Sequence, residues 1–407
     1  MPDALLVLNC GSSSLRFALL EQGGDGTFAR RYRGEASSLG HAPHFTVHTT
    51  GTAAVTQRPL PHGGDDHAVA LDAVLEWLQE LPEAARLVAA GHRIVHGGTT
   101  QHAPALLDAA LLAQLEALVP LAPLHQPQAL AAVRRLAALR PGLPQLACFD
   151  TAFHRTMPWV EQRLALPAAL HAQGVQRFGF HGLSCEFIAG ELARLWGERA
   201  RGRIVIAHLG QGSSLCALHG LQSQATTMGF TPLDGVPMAT RCGAIDAAVP
   251  LYLLERGMDV TQVRALLHEA SGLRGLSGSS GDMRTLLADA QPAARDAVRY
   301  YCHHVARALA SMAAAIGGLD AIVFTGGIGQ HAPAVRAAIL EQSAWLGVRI
   351  DGQANANASV PHGAVCITTA NSRVPAWVLA TDEEAVIGAH TARALLDQRS
   401  AAAGAGD

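Results

Sequence analysis

The chain has 407 residues, of which 49% are hydrophobic and 15% charged, and its formal net charge is −3 at pH 7. This length favours two domains over a single core, and a near-neutral charge without a basic block argues against nucleic-acid binding. No apolar run reaches the ~18 residues of a membrane span, and no basic segment precedes the first apolar run as in a secretory signal. We therefore expect a globular protein without nucleic-acid or membrane partners.

The basic residues exclude further classes of function. The sequence contains no lysine, so all 30 of its basic residues are arginine. A Walker-type phosphate loop requires lysine, as do Schiff-base and protein-kinase chemistry, so these classes are excluded. A phosphate or carboxylate must instead be held by arginine, backbone N–H groups, histidine or a metal ion. The seven scattered cysteines form no C-x-x-C motif, which predicts reduced thiols and a cytoplasmic location.

Two similar hairpins are predicted 200 residues apart. Residues 5–20 read as an apolar strand, a Gly-Ser turn and a second apolar strand, and residues 203–218 repeat this order. A turn of small residues lets several backbone donors approach an anion. Two ordinary polar hairpins are the alternative for either copy alone. The repetition favours two related halves that hold a polyanion between them.

Three polar residues in the first half lie in unusual local settings. Arg93 lies among apolar residues where a predicted strand enters a Gly-rich turn, and a buried arginine needs an anionic partner. Prolines on both sides of His125 fix its backbone, which suits either a ligand site or a tight connection. Asp150 ends a short apolar strand, where ligands of open α/β sheets bind, although it could equally cap the next turn.

The second half contains further candidate loops. His181 lies between an aromatic residue and a glycine, and Arg241 lies in a long loop rich in Gly, Thr and Pro. Residues 272–284 read as another small-residue loop, and residues 321–329 as a strand that enters a Gly turn, where a ring or phosphate can approach the backbone.

The last predicted helix begins near an acidic run. Thr381 and Glu384 have capping-box spacing. This spacing places Asp382 and Glu383 in the first turn, where the helix dipole favours negative charge. The dipole alone would explain these acidic residues without a metal ion.

Taken together, these segments resemble the acetate kinase family of short-chain acyl kinases over nearly the whole chain, from Leu8 to Glu384. The matching motifs are Gly91-His-Arg-Ile-Val-His-Gly-Gly98, Pro123-Leu-His125, Phe149-Asp-Thr-Ala-Phe-His-Arg-Thr-Met-Pro158, Phe178-Gly-Phe-His-Gly182, His208-Leu-Gly-Gln-Gly-Ser-Ser214, Met228-Gly-Phe-Thr-Pro232, Thr240-Arg241 and Phe324-Thr-Gly-Gly-Ile-Gly329.

The resemblance implies an α/β fold with two ribonuclease-H-like domains of the acetate and sugar kinase, Hsp70 and actin superfamily, separated by an interdomain cleft. Residues 1–150 would form the N-terminal domain, completed by a C-terminal helix over 382–398. Residues 151–381 would form the nucleotide-binding and dimerisation domain. Residues 399–407 are expected to be a disordered tail.

The resemblance also implies reversible transfer of the ATP γ-phosphoryl group to acetate by a homodimer, giving acetyl phosphate and ADP. Mg²⁺, or alternatively Mn²⁺, would be held by Asn9 and Glu383. The implied catalytic residues are Arg93, His125, Asp150, His181 and Arg241. Arg93 would also bind substrate with the acyl pocket, which comprises Val95, Leu124, Phe180 and Pro232. The implied nucleotide-binding residues are Arg16, His208, Leu209, Gly210, Gln211, Gly212, Asp282, Met283, Arg284, Gly326, Gly327, Ile328, Gly329 and Gln330.

Asp150 is the family's putative acid/base residue, but acetate is already ionised at neutral pH. We therefore expect Asp150 to orient metal-bound water or Arg93 rather than to remove a proton.

Several positions depart from the family pattern, which has other residue types at Arg16, Gln211, Ala225, Ala244 and the pair Gln330-His331. The pair Gln330-His331 leaves pyrophosphate open as an alternative phosphoryl donor. Propionate or butyrate remains an alternative acceptor, because one methylene discriminates by only about 1–3 kcal/mol. An actin- or Hsp70-like ATPase is the alternative from a different class.

Overall fold

The computed structural model of the protein describes residues 2–11, 14–39, 42–61, 66–81, 85–359 and 363–404. The described residues form two units. The first contains the chain up to Ala152 and again from Asp382, and the second is Phe153–Thr381. The division expected from the sequence falls at residues 150 and 382. Each unit contains one mixed β-sheet with helices packed against it.

The first sheet has the strand order β5-β4-β3-β2-β1-β6-β8-β7. Its strands are β1 Asp3–Cys10, β2 Leu15–Gln22, β3 Phe28–Ser37, β4 His44–Thr49, β5 Val55–Pro59, β6 Arg86–Ile94, β7 Ala105–Leu106 and β8 Gln145–Phe149. The central strand β1 is buried along nearly its whole length. A continuous apolar strand of this kind is typical of a sheet that is covered on both faces.

The second sheet has the strand order β11-β10-β9-β12-β14-β13. Its strands are β9 Arg203–Leu209, β10 Ser213–His219, β11 Gln222–Thr226, β12 Ala321–Thr325, β13 Ala364–Cys366 and β14 Ala376–Leu379. The strand β12 is buried throughout and lies parallel to both β9 and β14.

The two sheets share a core of five strands with the same order and directions. In the first, β3, β2 and β1 are antiparallel neighbours, and β6 and β8 follow in parallel. In the second, β11, β10 and β9 are antiparallel neighbours, and β12 and β14 follow in parallel. This repetition confirms the α/β fold with two ribonuclease-H-like halves that the duplicated hairpin predicts.

The helices of the two units follow one another along the chain as shown by their bounds. They are α1 Asp66–Glu80, α2 Ala109–Ala117, α3 Gln126–Leu139, α4 Trp159–Gln162, α5 Ala168–Ala172, α6 Gly182–Trp196, α7 Ala248–Glu255, α8 Val260–Glu269, α9 Gly272–Ser277, α10 Met283–Ala288, α11 Pro292–Ala315, α12 Gly326–His331, α13 Pro333–Gln342, α14 Gly352–Asn357 and α15 Glu383–Gly404. Among the described residues, no helix has the length and apolar character needed to cross a membrane.

Both predicted hairpins are confirmed as antiparallel pairs, β1 with β2 and β9 with β10. In the first, the N–H of Gly11 donates to the carbonyl of Ser14 at 2.8 Å. The turn residues Ser12 and Ser13 lie outside the described residues. The expected loop over residues 272–284 is partly wrong, because it contains α9 and the start of α10.

The last helix, α15, packs on the first sheet although it is far away in the sequence. A methyl group added at Gly91 in β6 would lie 2.2 Å from Thr391 Oγ1 and 2.6 Å from Ile387 Cγ2. Only a glycine permits this close approach of helix and strand. The helix runs to Gly404, so the disordered tail expected over 399–407 is wrong as far as that residue. Residues 405–407 lie outside the described residues.

Candidate active site

The first group of polar residues forms where the parallel strands β6 and β8 end. The two strands are neighbours, with Ile94 opposite Phe149, so Arg93 and Asp150 come together at the same edge of the sheet. Arg93 Nε donates to Asp150 Oδ1 at 3.0 Å, and Arg93 Nη2 donates to Oδ2 at 2.6 Å. The Asp150 side chain is 1% exposed and that of Arg93 is 13% exposed. Asp150 therefore fixes the plane of the guanidinium group in a two-point contact.

Asn9, at the end of the neighbouring strand β1, joins this group to the start of α15. Its Nδ2 donates to Glu383 Oε2 at 2.9 Å and to Glu384 Oε1 at 2.8 Å. Its Oδ1 accepts from Arg93 Nη1 at 3.3 Å. Arg93 Nε also lies 3.8 Å from Glu383. The first unit thus brings together four of the predicted site residues, and Glu384 joins them.

The start of α15 differs in one respect from the sequence-based expectation. The first-turn N–H of Ala385 donates to Asp382 Oδ1 at 3.0 Å. Thr381 Oγ1 is buried and has no hydrogen-bond partner among the described residues. Asp382, rather than Thr381, therefore caps the helix, and Glu384 is left to point its carboxylate at Asn9.

The charges of this group shift the protonation of two members. Burial, and then the neighbouring charge of Glu383, raise the pKa of Glu384 above its ordinary value. Burial alone would lower the pKa of Arg93, but the charges of Asp150 and Glu383 outweigh it, and the pKa is raised. Arg16 is more exposed and pairs with Glu35 at 3.3 Å. The group therefore carries more negative than positive charge close to Asn9.

This donor set fits a hard divalent cation that keeps most of its water. Asn9, Glu383 and Glu384 offer only oxygen ligands, which Mg²⁺ prefers, and Mg²⁺ usually takes one or two carboxylates besides water and substrate phosphates. The raised pKa of Glu384 indicates uncompensated negative charge that a cation would relieve. Among the described residues, no three His, Cys, Asp or Glu side chains form a metal-binding cluster by themselves.

The second group lies in the second unit, around the start of α6. His181 precedes this helix, and its Nδ1 lies 2.9 Å from Ser214 Oγ on β10. Its ring stacks on that of His208, with centroids 4.3 Å apart and planes at 20°. His208 Nδ1 lies 2.8 Å from Ser184 Oγ in the first turn of α6. The two predicted histidines are therefore adjacent and are each oriented by a serine.

The turn between β9 and β10 brings Arg241 to the same place. A methyl group added at Gly212 would lie 3.1 Å from His181 Nε2 and 3.7 Å from Arg241 Nη1. Arg241 Nη1 donates to the carbonyl of Pro232 at 3.1 Å. The predicted residues His181, Gly212 and Arg241 thus form one compact polar surface at the end of the second sheet.

A glycine turn lies against this hairpin from the other side. Gly326 has a φ of +76°, and a methyl group there would lie 2.6 Å from the carbonyl oxygen of Leu209. A methyl group at Gly210 would lie 3.8 Å from the N of Gly327. The segment from Gly326 to Gln330 forms most of α12, with Ile328 half-buried and Gly329 buried. Two of the predicted nucleotide-binding segments are therefore neighbours.

The third predicted nucleotide segment is the start of α10. Asp282 caps this helix by accepting from the N–H groups of Arg284 and Thr285 at 2.9 and 3.0 Å. Met283 is buried, whereas Arg284 is exposed. The segment reaches the hairpin through Ala239, because a methyl group at Gly281 would lie 2.6 Å from the carbonyl of Ala239, and the N–H of Ala239 donates to the carbonyl of Gln211 at 3.1 Å.

The remaining predicted site residues are divided between the units. Val95 is buried and Leu124 is half-buried in the first unit. Phe180 and Pro232 are both buried in the second. His125 is half-buried directly before α3, and its backbone N–H donates to Ala122 at 3.1 Å.

Sequence reasoning missed the serines that orient the histidines and the contact between Glu384 and Asn9. Ser214 follows the glycine turn, and Ser184 comes three residues after His181. These positions carry a local signal, since each serine lies in a motif that already contains a site residue. Glu384 had a signal only in its acidic run, which helix-dipole stabilisation explained equally well.

The fold and the two groups define a phosphotransferase of the superfamily built on paired ribonuclease-H-like domains. The acetokinase family model matches residues 4–389. The chain belongs to the acetokinase family and is a kinase.

Similar proteins agree over nearly the full length. The chain is 48% identical over 396 residues to an acetate kinase of Rhodopseudomonas palustris, covering 97% of this chain and 98% of that protein. The solved structure of a propionate kinase from Francisella tularensis is similar with a TM-score of 0.86 and 34% identity, covering 96% of this chain and 99% of that one. That of Porphyromonas gingivalis acetate kinase has a TM-score of 0.81 and 30% identity, covering 97% and 100%.

Proposed function

We propose that this chain is an acetate kinase, which transfers the γ-phosphoryl group of ATP reversibly to acetate and forms acetyl phosphate and ADP. The observation that carries the proposal is Arg93, a largely buried guanidinium group that Asp150 holds in a fixed plane at the end of a strand. A planar, oriented cation of this kind suits a carboxylate or a phosphoryl group, which arginine can contact at two points.

The chemistry requires positioning and neutralisation of charge more than proton transfer. Acetate is ionised at neutral pH, so Asp150 has no proton to remove and acts in this proposal by orienting Arg93. Phosphoryl transfer depends on in-line placement and on stabilising the charge that spreads over the transferred group. Arg93 and Arg241 supply that stabilisation, and His181 donates a hydrogen bond to the developing charge.

The nucleotide is proposed to bind to the second unit. The segments His208–Gly212, Asp282–Arg284 and Gly326–Gln330 present backbone N–H groups and little side-chain bulk, which suits a polyphosphate. His181 makes no side-chain capping bond at the start of α6. The N–H groups of that turn are therefore not occupied by the residue that normally caps them.

Mg²⁺, or Mn²⁺ in its place, would be held by Asn9 and Glu383, with Glu384 beside them. When bound, the ion would offset the negative charge of the phosphates. His125 is proposed to assist at the acceptor, and Val95, Leu124, Phe180 and Pro232 to surround the acyl methyl group.

We also propose a homodimer in the cytoplasm. No residue of α7 is buried, and Leu251 and Tyr252 on it are 61% and 58% exposed. Apolar side chains grouped in this way favour contact with a second copy. All seven cysteines are free thiols, as a reducing compartment favours. Light scattering of the parent and of Leu251→Glu tests the dimer, which the glutamate should dissociate.

A coupled assay for acetyl phosphate with ATP, Mg²⁺ and acetate tests the activity. Specificity constants for acids of two, three and four carbons, and replacement of ATP by pyrophosphate, decide the acceptor and the donor. Turnover highest with ATP and acetate supports the proposal. Absence of acyl phosphate with every donor and acceptor would refute it.

A further inference from the structure

His154 is a fully buried histidine outside the residues proposed to act on substrate. It lies in a short 3-10 helical segment, Ala152–Thr156, and its side chain is 0% exposed. Both ring nitrogens have partners in the second unit. Nε2 lies 2.8 Å from the carbonyl oxygen of Phe180, and Nδ1 lies 2.9 Å from Ser223 Oγ. The residue thus contacts the peptide that directly precedes His181.

The direction of the bond to Phe180 follows from the chemistry of its partner. A carbonyl oxygen only accepts hydrogen bonds, so Nε2 of His154 carries a proton and donates it. If the ring is neutral, Nδ1 accepts from the hydroxyl of Ser223. If the ring is protonated, both nitrogens donate. The bond to the Phe180 carbonyl is therefore present in either protonation state.

The peptide that receives this bond leads into an unfavourable backbone conformation. His181 has a φ of +57° and a ψ of +26°, in the left-handed region that residues with a side chain rarely adopt. Such a conformation persists only where surrounding contacts enforce it. The hydrogen bond from His154 is one such contact, because it fixes the carbonyl orientation of the preceding residue.

The His154 ring also occupies the space that a glycine leaves in the same segment. Gly179 has a φ of +76°, and a methyl group there would lie 2.7 Å from both Cγ and Cδ2 of His154. The ring therefore packs directly on the backbone of Gly179 while it holds the carbonyl of Phe180. The segment from Phe178 to His181 is held by this one side chain through packing and a hydrogen bond together.

We infer that His154 is a positioning residue for His181. It holds the left-handed turn that directs the His181 ring toward Ser214 and Gly212, and it does not touch substrate. The inference rests on the proposed role of His181 in phosphoryl transfer. It adds a residue whose effect on the reaction passes entirely through the Phe180–His181 peptide.

Two amide substitutions separate the two bonds of His154. In His154→Gln the amide nitrogen is as many bonds from Cβ as Nε2 is, so it can donate to the Phe180 carbonyl. In His154→Asn the amide reaches only the position of Nδ1, near Ser223, and the bond to Phe180 is lost. Ser223→Ala is the matched control, since it removes the other bond and leaves the one to Phe180.

The test measures kcat, KM for both substrates and the folded fraction of the full-length enzyme for each variant. A misplaced catalytic group costs on the order of 10²-fold, so we expect His154→Asn to lower kcat by about 10- to 100-fold per folded molecule, with KM changed less than about threefold. His154→Gln and Ser223→Ala should keep kcat within about threefold of the parent. Rescue by glutamine but not asparagine is a pattern that loss of packing alone would not produce.

Equal kcat losses in the asparagine and glutamine variants, or losses that only follow the folded fraction, would overturn the inference. If His154→Asn does not fold, Gly179→Ala provides the second test, because it displaces the ring while keeping His154; unchanged kcat in this variant would also overturn it. His181→Ala separates the two proposals. Parent-like turnover in that variant would refute the proposed role of His181 itself, whatever the His154 variants do.

Discussion

Replacement of Asp150 by asparagine tests whether this carboxylate holds Arg93 or removes a proton. The change leaves the size of the side chain nearly constant and removes the negative charge from a buried pair. Losing one partner of a buried ion pair costs about 3–5 kcal/mol, because the other charge remains without compensation. Arg93 keeps Glu383 at 3.8 Å and Asn9 at 3.3 Å, so we expect the lower end, about 3 kcal/mol.

Hydrogen exchange measured by mass spectrometry reads this loss locally. At 1.4 kcal/mol per factor of ten, ~3 kcal/mol corresponds to exchange about 10²-fold faster for amides of β6 and β8 that open with the whole first unit. The matched control is Asp72→Asn, which breaks an exposed two-point pair with Arg135. Surface pairs contribute little, so exchange in this control should match that of the parent.

Kinetics of the same variant distinguish the two roles of Asp150. If it orients Arg93, kcat falls by a factor that stays constant from pH 6 to 9, because no proton passes through the carboxylate. If it were a general base, the acidic limb of the parent's pH profile would disappear in Asp150→Asn. Disappearance of that limb, or exchange no faster than in the Asp72→Asn control, would refute the orienting role.

Three further predictions concern other parts of the site. Arg241→Ala should lower kcat by about 10²–10³, the usual effect of removing one charge-stabilising contact, while nucleotide affinity from calorimetry changes little; turnover near that of the parent would contradict its role. Burial and an adjacent carboxylate raise the pKa of Glu384 above its ordinary 4.5, so its ionisation in the folded state reduces stability as pH rises through the raised pKa. Glu384→Gln should therefore raise the Tm of the metal-free protein at pH 7.5, and the gain should vanish below pH 4.5; a gain that is equal at both pH values would exclude this cause. Gly326→Ala should lower both Tm and nucleotide affinity, because the added methyl would lie 2.6 Å from a backbone carbonyl, whereas Gly327→Ala, with nothing within 4 Å of the added methyl, should leave Tm unchanged; equal Tm values for the two variants would show that the turn tolerates the bulk.

The fold could be predicted from the sequence because its signals are local. Each hairpin shows an apolar run, a small-residue turn and a second apolar run within 16 residues, and the repetition of that pattern indicated two related halves. The helices over residues 272–288 were harder to predict, since Gly and Ser dominate and α9 spans only Gly272–Ser277. Tertiary packing, rather than helix propensity, stabilises short helices of this composition.

The candidate site could be predicted as a set of residues but not as a set of contacts. Arg93 and Asp150 were each identified from their own surroundings, but their pairing depends on two strands 57 residues apart being neighbours. Asn9 meets Glu384 across 375 positions, and no local pattern encodes such a contact. His154 belonged to a recognised motif, yet only the coordinates reveal that its ring supports the turn before His181.

The way α15 completes the first sheet has a consequence for synthesis on the ribosome. The strand β6 carries Gly91 at the surface that Ile387 and Thr391 cover, and these residues emerge from the exit tunnel only at the end of translation. The continuous stretch Phe153–Thr381 is fully synthesised before them. A nascent chain therefore has all the residues of its second half while its first half still awaits a cover, and premature termination near residue 380 would leave that β-sheet exposed to chaperones and proteases.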